Sequence, residues 1–420
     1  MRPVSTTTTD AAALKPEVEP GEVGLDAERL ARIDRHLQGY VDDGRLAGWL
    51  FALTRHGRLA HVARAGHRDA EAGLPIEDDT VFRIYSMTKP LTSVAAMMLY
   101  EEGAFALKDP ISRWIPCFGD LQVYRSGSGD QIETEPAVEP IRVWHLLTHT
   151  AGLTYGFHRA DPVDALYRDH GYDFGQPRGV DLAAACETWA SLPLLFQPGS
   201  EWVYSVATDV LGHLVEVVSG QSLDAFLAER ILGPLGMADT RFGLPDEQRH
   251  RLAGLYVPGA DGRAARFDEI GPVAHGTPTF LSGGGGLVST AADYLRFADM
   301  LRRGGEADGV RLLSDRTVRY MTQNHLPGGA DLERYGRPLF AETTYDGVGF
   351  GLGFAVTLDP VANKVLGTPG TYTWGGAAST SFWVDPEEDV TAVFLTQLLP
   401  SSTHPLRSAL SQLVSQALVG

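Results

Sequence analysis

Segments with the composition of β-strands lie near both ends of this 420-residue chain, and this order constrains the fold more than any other feature. The apolar runs 48–54 and 59–65 are separated by a turn that contains Gly57, which predicts a β-hairpin. Three further strands are predicted far along the chain, at 351–358, 379–384 and 390–396. The pattern indicates one sheet domain that is assembled from both ends of the chain.

The residues between these strands favour helices. In 25–43, apolar side chains recur with helical spacing at Leu30, Ile33, Leu37 and Val41, opposite a polar face. The other predicted helices span 87–101, 180–190, 208–219, 223–231, 294–303 and 405–418. Thr290 is predicted to cap the helix at 294–303.

This order of elements predicts an α/β (α+β) chain in which a mostly helical domain is inserted into the sheet domain. The predicted parts are a flexible tail at 1–20, a discontinuous sheet domain at 21–80 and 281–420, and a helical domain at 81–280. Two Gly/Pro-rich segments, 117–139 and 158–179, are longer than ordinary connections. We expect them to wrap a site or to be partly mobile.

Composition excludes several classes of function. The net charge of −18, with no basic run, disfavours binding to nucleic acids or anionic membranes. Cys117 and Cys186 are too few for a disulfide framework or a four-thiolate metal site. Neither a secretory signal nor a stretch of about 20 apolar residues is present, so we expect a soluble, cytoplasmic protein.

The strongest chemical signal is the pair Ser86 and Lys89. A serine hydroxyl is a weak nucleophile and needs a neighbouring base. Residues three apart on a helix share a face, so Lys89 can reach Ser86. Burial and a nearby positive charge would lower the pKa of Lys89 and let it accept a proton. Of the four lysines in the chain, only Lys89 has a serine three positions earlier, and it lies in an apolar helix.

Two weaker signals lie further along the chain. Tyr204, in Pro-Gly-Ser-Glu-Trp-Val-Tyr-Ser, could transfer a proton, although a single tyrosine is more often a packed core residue. Trp374, Gly375 and Gly376 precede Ala377 and a predicted strand. Glycines there would let a substrate lie against the strand edge, with a backbone N–H offered to an oxyanion. Taken alone, this segment is an ordinary Gly-rich turn.

The order and spacing of these motifs resemble the serine β-lactamase/D,D-peptidase superfamily, and most closely the family VIII carboxylesterases and their acyltransferase relatives. Three more segments between residues 25 and 420 carry the resemblance, namely Leu-Leu-Thr-His-Thr-Ala-Gly-Leu at 146–153, Leu-Gly-Pro-Leu-Gly-Met at 232–237 and Gly-Gly-Gly-Leu-Val-Ser-Thr at 284–290. It implies a β-lactamase/transpeptidase-like fold, an antiparallel sheet flanked by helices, with the active site in the cleft between the two domains.

The resemblance also implies a mechanism without metal or cofactor. Lys89 and Tyr204 would remove the proton of Ser86, which attacks an acyl carbonyl. The N–H groups of Ser86 and Ala377 would hold the oxyanion, and Tyr204 would return the proton to the leaving group. Water or an acceptor alcohol would then release the acyl group.

Departures from the superfamily pattern indicate the substrate class. Val206 stands where penicillin-recognising enzymes carry the Asn of Tyr-x-Asn, and Trp374 replaces the Lys or His of their Lys/His-Thr-Gly. No cation is left there to pair with a β-lactam carboxylate. We therefore expect a carboxylesterase of small, uncharged acyl esters, with Tyr155 and Phe157 as further candidates for the substrate pocket.

The alternatives are an acyltransferase, a β-lactamase or D-amino-acid peptidase, and a catalytically silent binding protein on the same scaffold. A lipase-type Gly-x-Ser-x-Gly and nucleotide-binding motifs are absent. His145 and His149 have the spacing of zinc ligands but lack the accompanying glutamate, so we interpret them as structural. The expected partner is a small ester, with no nucleic acid and no membrane, and the sequence does not define an oligomeric state.

Overall fold

A computed structural model describes residues 14–269, 273, 276–337 and 345–419. The first 13 residues of the predicted tail lie outside the described residues. The end of that tail is packed on the protein, because the Glu17 N–H donates to the Leu59 carbonyl at 2.7 Å and Val18 is buried. No helix in the described part of the chain is long and apolar enough to cross a bilayer.

The strands of the described residues all pair antiparallel within their sheets. They are β1 (Gly48–Arg55), β2 (Arg58–Asp69), β3 (Leu74–Pro75), β4 (Phe82–Arg83), β5 (Gln122–Ser126), β6 (Glu133–Pro136), β7 (Arg241–Phe242), β8 (Tyr256–Pro258), β9 (Ala264–Arg266), β10 (Leu287–Ser289), β11 (Glu306–Ala307), β12 (Val310–Arg311), β13 (Val348–Phe350), β14 (Ala355–Thr357), β15 (Tyr372–Gly375), β16 (Ser381–Asp385) and β17 (Val390–Thr396).

The α-helices of the described residues are α1 (Ala27–Asp42), α2 (Thr88–Glu101), α3 (Val143–Leu147), α4 (Pro162–Asp169), α5 (Leu182–Ser191), α6 (Ala207–Ser219), α7 (Leu223–Leu227), α8 (Ala291–Arg302), α9 (Asp315–Met321), α10 (Leu332–Tyr335), α11 (Pro360–Asn363) and α12 (Leu406–Ser415). Every helix predicted from the sequence is present. The predicted helix at 223–231 is shorter than expected, because α7 gives way to a wider π-helical turn at Ala228–Leu232.

One eight-stranded sheet combines both ends of the chain in the order β13-β14-β15-β16-β17-β1-β2-β3. The predicted hairpin is the pair β1 and β2, and β17 lies beside β1 with Phe51 opposite Phe394. The antiparallel sheet and its flanking helices confirm the predicted fold class. The predicted domain boundaries at residues 80 and 280 stay a prediction.

Both faces of this sheet are covered, which explains why every residue of β1 is buried. Side chains alternate between the faces of a strand. Leu50 and Ala52 therefore join the large core with the helices of the central region, whereas Trp49, Phe51 and Leu53 pack with α1 and α12. The site described below lies at the end of β15, an inner strand of this sheet.

Two predicted elements differ from the structure. The predicted strand at 351–358 is reduced to β14, because Gly353 adopts a φ of 95° and separates β13 from β14. The segment 117–139 forms the β5–β6 hairpin, away from the cleft. The segment 158–179 contains α4, and its last residues line the cleft, as one of the two alternatives for it expected.

Candidate active site

Ser86 lies in a tight 3₁₀ turn, Tyr85–Met87, immediately before α2. Tyr85 has a φ of 43°, a left-handed conformation that costs a non-glycine residue about 1–3 kcal/mol. The turn is held by its neighbours, because the Met87 N–H donates to the Ile84 carbonyl at 3.0 Å and the Tyr294 hydroxyl donates to the Met87 carbonyl at 2.8 Å. This turn presents Ser86 to the cleft at the start of a buried helix.

Lys89 lies in the first turn of α2 and is only 2% exposed. Its Nζ is 3.4 Å from Ser86 Oγ, 3.0 Å from the Tyr155 hydroxyl and 2.7 Å from the Gly284 carbonyl oxygen. Burial lowers its pKa from 10.5 to about 7, and the Asp209 carboxylate acts in the opposite direction. The expectation of a nearby positive charge was therefore wrong, because burial causes the shift and the neighbouring charge is negative.

Tyr204 lies next to the side chains of Ser86 and Lys89. Its ring lies beneath the Lys89 ammonium, with Nζ 4.4 Å from the ring centroid. Burial raises its pKa, and the facing Ser86 and Trp374 side chains offset part of that rise. Within the described residues the hydroxyl forms no hydrogen bond of ordinary length and angle. Tyr204 is thus a neutral phenol beside Ser86, and it meets Lys89 through its ring face.

A buried carboxylate that the sequence analysis missed completes this cluster. Asp209, in the first turn of α6, accepts hydrogen bonds from Ser282 Oγ at 2.6 Å and from the Gly284 N–H at 3.0 Å. Burial raises its pKa, and Lys89 counters that rise. The signal that could have revealed it is an aspartate within an apolar helix, followed directly by the buried Val210 and Leu211.

The segment Trp374-Gly375-Gly376 ends β15 beside the Ser86 turn. A Cβ at Gly376 would lie 2.4 Å from the Ile84 carbonyl oxygen, and one at Gly375 would lie 2.4 Å from the Arg407 guanidinium carbon. Both glycines line the cleft, and their role in substrate binding stays a prediction. They allow β15 to approach the Ser86 turn closely.

That approach places Ala377 and Ser86 on the wall of the same cleft. The strand end is fixed by the Gly376 N–H, which donates to the Thr380 carbonyl at 2.9 Å, and by Arg407, which donates to the Gly376 carbonyl at 2.9 Å. The Trp374 ring is buried and packs 5.4 Å from the ring of Tyr204. The N–H groups of Ser86 and Ala377 belong to backbone that is fixed in this way. Such groups are suited to an oxyanion, because no reorganisation is needed when charge develops.

The cleft has a volume of about 1000 Å³ and a wall of aromatic side chains. Tyr155 and Phe157 stack with their ring centroids 4.6 Å apart, and Phe174 packs 5.6 Å from Phe157 and 6.3 Å from Tyr85. Phe174 is 41% exposed, so this aromatic wall reaches the mouth of the cleft. The predicted pocket residues Tyr155 and Phe157 both line it.

The two histidines with zinc-like spacing make structural hydrogen bonds, as interpreted from the sequence. His145 Nδ1 accepts from the Arg142 N–H at 3.0 Å, and the His149 ring bonds Ser205 Oγ at 3.2 Å. Burial lowers the pKa of both rings. The ring centroid of His149 lies 5.0 Å from that of Tyr204, so His149 helps to hold the Tyr204 ring in place.

Comparison with known proteins gives consistent matches along the chain. Residues 33–415 match the family described as Beta-lactamase. Protein Rv1367c of Mycobacterium tuberculosis is 40% identical over 86% of this chain and 88% of its own length. Esterase EstB of Burkholderia gladioli is 33% identical over 90% of this chain and 93% of its own. The structure of EstCE1, a hydrolase with promiscuous acyltransferase activity, superposes with a TM-score of 0.76 at 29% identity, covering 94% of this chain and 99% of EstCE1.

Proposed function

This chain belongs to the β-lactamase family of serine hydrolases, and from that premise we propose that it is a carboxylesterase acting on uncharged esters through an acyl-Ser86 intermediate. The observation that carries the proposal is the buried Lys89 amine, 3.4 Å from Ser86 Oγ, with its pKa lowered to about 7. At pH 7 about half of this amine is unprotonated and can accept the serine proton, and the unprotonated share rises with pH.

The opposite directions of the two pKa shifts give Lys89 and Tyr204 different roles. Lys89 takes the Ser86 proton while Oγ forms a bond to the acyl carbon. Tyr204 remains protonated because burial raises its pKa, so it serves as the acid that protonates the departing alkoxide. The ester C–O bond breaks. The proton that Lys89 took from Ser86 replaces the one that Tyr204 gave to the alkoxide, so both groups regain their starting protonation. Water then takes the place of the alcohol and attacks the acyl-enzyme by the same steps in reverse, which releases the acid and returns the proton to Ser86.

The N–H groups of Ser86 and Ala377 hold the oxyanion in this mechanism. They suit the role because both residues line the cleft and the β15 end is fixed against the Ser86 turn. A single oxyanion donor is typically responsible for about 10²- to 10³-fold in kcat.

Uncharged esters fit the walls of the cleft. Trp374, Tyr155 and Phe157 present aromatic surface around the reacting serine. The Arg407 guanidinium nearby donates to the Gly376 and Thr380 carbonyls, at 2.9 Å and 3.2 Å. These contacts engage the guanidinium beside Gly375 and Gly376, where a β-lactam carboxylate would need a cation free to pair with it, and so favour an ester there.

Acyl transfer is the second candidate, and the size of the cleft favours it. A volume of about 1000 Å³ exceeds what a short acyl group fills, which leaves room for an acceptor alcohol beside the acyl-enzyme. The activity named for EstCE1 supports the same possibility for this chain.

An ester panel with an added acceptor tests these proposals. We expect p-nitrophenyl butyrate to be hydrolysed by the wild type and not by S86A, and nitrocefin to be a much poorer substrate. Chromatography of products formed in the presence of a primary alcohol separates hydrolysis from transfer. Nitrocefin turnover that rivals ester turnover would contradict the esterase proposal.

A further inference from the structure

Among the described residues, the Lys89 amine has three neighbours that can take its hydrogens. Nζ lies 2.7 Å from the Gly284 carbonyl oxygen, 3.0 Å from the Tyr155 hydroxyl and 3.4 Å from Ser86 Oγ. In the ammonium form each of its three N–H groups has one acceptor. The ring of Tyr204 lies against Nζ by its face and takes no conventional hydrogen bond from it.

Deprotonation leaves two N–H groups and one lone pair to share among these neighbours. The Gly284 oxygen is a carbonyl and can only accept, so one N–H stays with it. If the second N–H points at Ser86, the lone pair faces Tyr155 and Lys89 cannot take the serine proton. If the second N–H donates to the Tyr155 oxygen, the lone pair faces Ser86. Which neighbour takes this hydrogen therefore decides whether Lys89 is a base.

We propose that Tyr155 is a positioning residue, whose hydroxyl oxygen accepts one Lys89 N–H and thereby directs the amine lone pair at Ser86. This inference rests on the proposed function and assigns Tyr155 a role beyond that of a pocket wall. The geometry suits the role, because the ring of Tyr155 is locked by its stack on Phe157, with centroids 4.6 Å apart. Burial raises the pKa of Tyr155, so its oxygen stays a neutral hydroxyl.

Other charged or titratable groups also face Lys89 and must be constant in any test. The Asp209 carboxylate raises the pKa of Lys89, and Lys89 in turn lowers the pKa of His149. The phenol of Tyr204 lies against Nζ as well. The variant of choice is therefore Y155F, which leaves these three groups in place and retains the ring that stacks on Phe157.

The test is the pH dependence of inactivation by diethyl p-nitrophenyl phosphate, a small probe that phosphorylates an activated serine. We expect Y155F to lower the plateau rate constant about 10- to 100-fold, as misdirected catalytic groups typically do. We also expect its acid limb to move to lower pH, because the ammonium loses an acceptor. In ¹³C-lysine NMR, where the chain has four lysines, the Lys89 signal should titrate at lower pH in Y155F.

Two controls separate positioning from pocket shape. F174L, which alters the aromatic wall at the mouth of the cleft and keeps the Tyr155–Phe157 stack, should change KM for esters and leave the acid limb where it is. Y256F removes a buried hydroxyl that donates to Glu71, remote from the cleft, and should leave both plateau and limb unchanged. Wild-type plateau, limb and lysine titration in Y155F would overturn the inference. If the probe leaves Ser86 of the wild type unlabelled, the proposed function fails instead.

Discussion

Replacing Lys89 by methionine should abolish turnover and make the fold more stable in a manner that depends on pH. Burial lowers the pKa of Lys89 from 10.5 to about 7. At about 1.4 kcal/mol per pH unit, keeping the ammonium buried costs the folded protein about 5 kcal/mol at pH 7 and below. Methionine fills a similar volume without that charge.

The direction of this pH dependence follows from the numbers of protons that the folded and unfolded chains bind. Between about pH 7 and about pH 10.5 the unfolded chain holds a proton on Lys89 that the folded chain lacks, so the stability of the wild type rises with pH. The K89M variant lacks this contribution. Because Lys89 is already about half deprotonated at pH 7 in the folded protein, the advantage of K89M in free energy of unfolding should shrink by about 2 kcal/mol from pH 7 to pH 9.

Urea unfolding of both proteins at these two pH values measures the effect. Taking the difference between wild type and K89M at each pH cancels the titration of groups whose pKa does not depend on Lys89, and the same comparison in a D209N background removes the coupled titration of Asp209. A difference that stays constant between pH 7 and pH 9 would refute the account of Lys89 as a buried amine with a strongly lowered pKa.

Three further variants test the remaining parts of the site. Y204F should lower kcat about 10²- to 10⁴-fold by removing the acid for the leaving group, most strongly for esters with poor leaving groups, and equal losses for p-nitrophenyl and alkyl esters would argue against that role. G376A should lower kcat about 10²- to 10³-fold, because its Cβ would meet the Ile84 carbonyl oxygen at 2.4 Å and push β15 from the Ser86 turn, whereas a crystal structure of G376A with an unmoved β15 and full activity would contradict this. D209N should move the acid limb of kcat/KM to lower pH, because the carboxylate raises the pKa of Lys89, and a limb displaced to higher pH would oppose that reasoning.

The parts of the fold that the sequence predicted are those set by local periodicity. The apolar runs of β1 and β2 and the apolar length of α2 are each encoded within one segment, so their patterns could be read without neighbours. The pair Ser86 and Lys89 falls in the same class, because their distance follows from one helical turn.

The parts that escaped prediction depend on contacts between distant segments. β15 reads as a Gly-rich turn, and its strand character comes from pairing with β14 and β16. The reason for Gly376 is the carbonyl of Ile84, which lies far away in sequence. A pattern within one segment cannot reveal a contact between residues that are so far apart in sequence.

The site shows the same division. Tyr155 was predicted as a pocket residue from its place beside a motif, and its hydrogen bond to Lys89 is visible only once α2 and the loop after α3 are packed together. Asp209 was missed because a lone acidic residue in a helix is usually solvated. Its burial follows from the packing of α6 against α2, which periodicity alone cannot supply.

The central claim is that Ser86 is a nucleophile activated by the Lys89 amine. Intact and peptide mass spectrometry after exposure to a fluorophosphonate measures this directly, with S86A and K89M as matched variants. The account predicts one adduct, on the peptide that contains Ser86, at a rate that increases through about pH 7 and is lost in both variants. An adduct on another serine, or undiminished labelling of K89M, would contradict it.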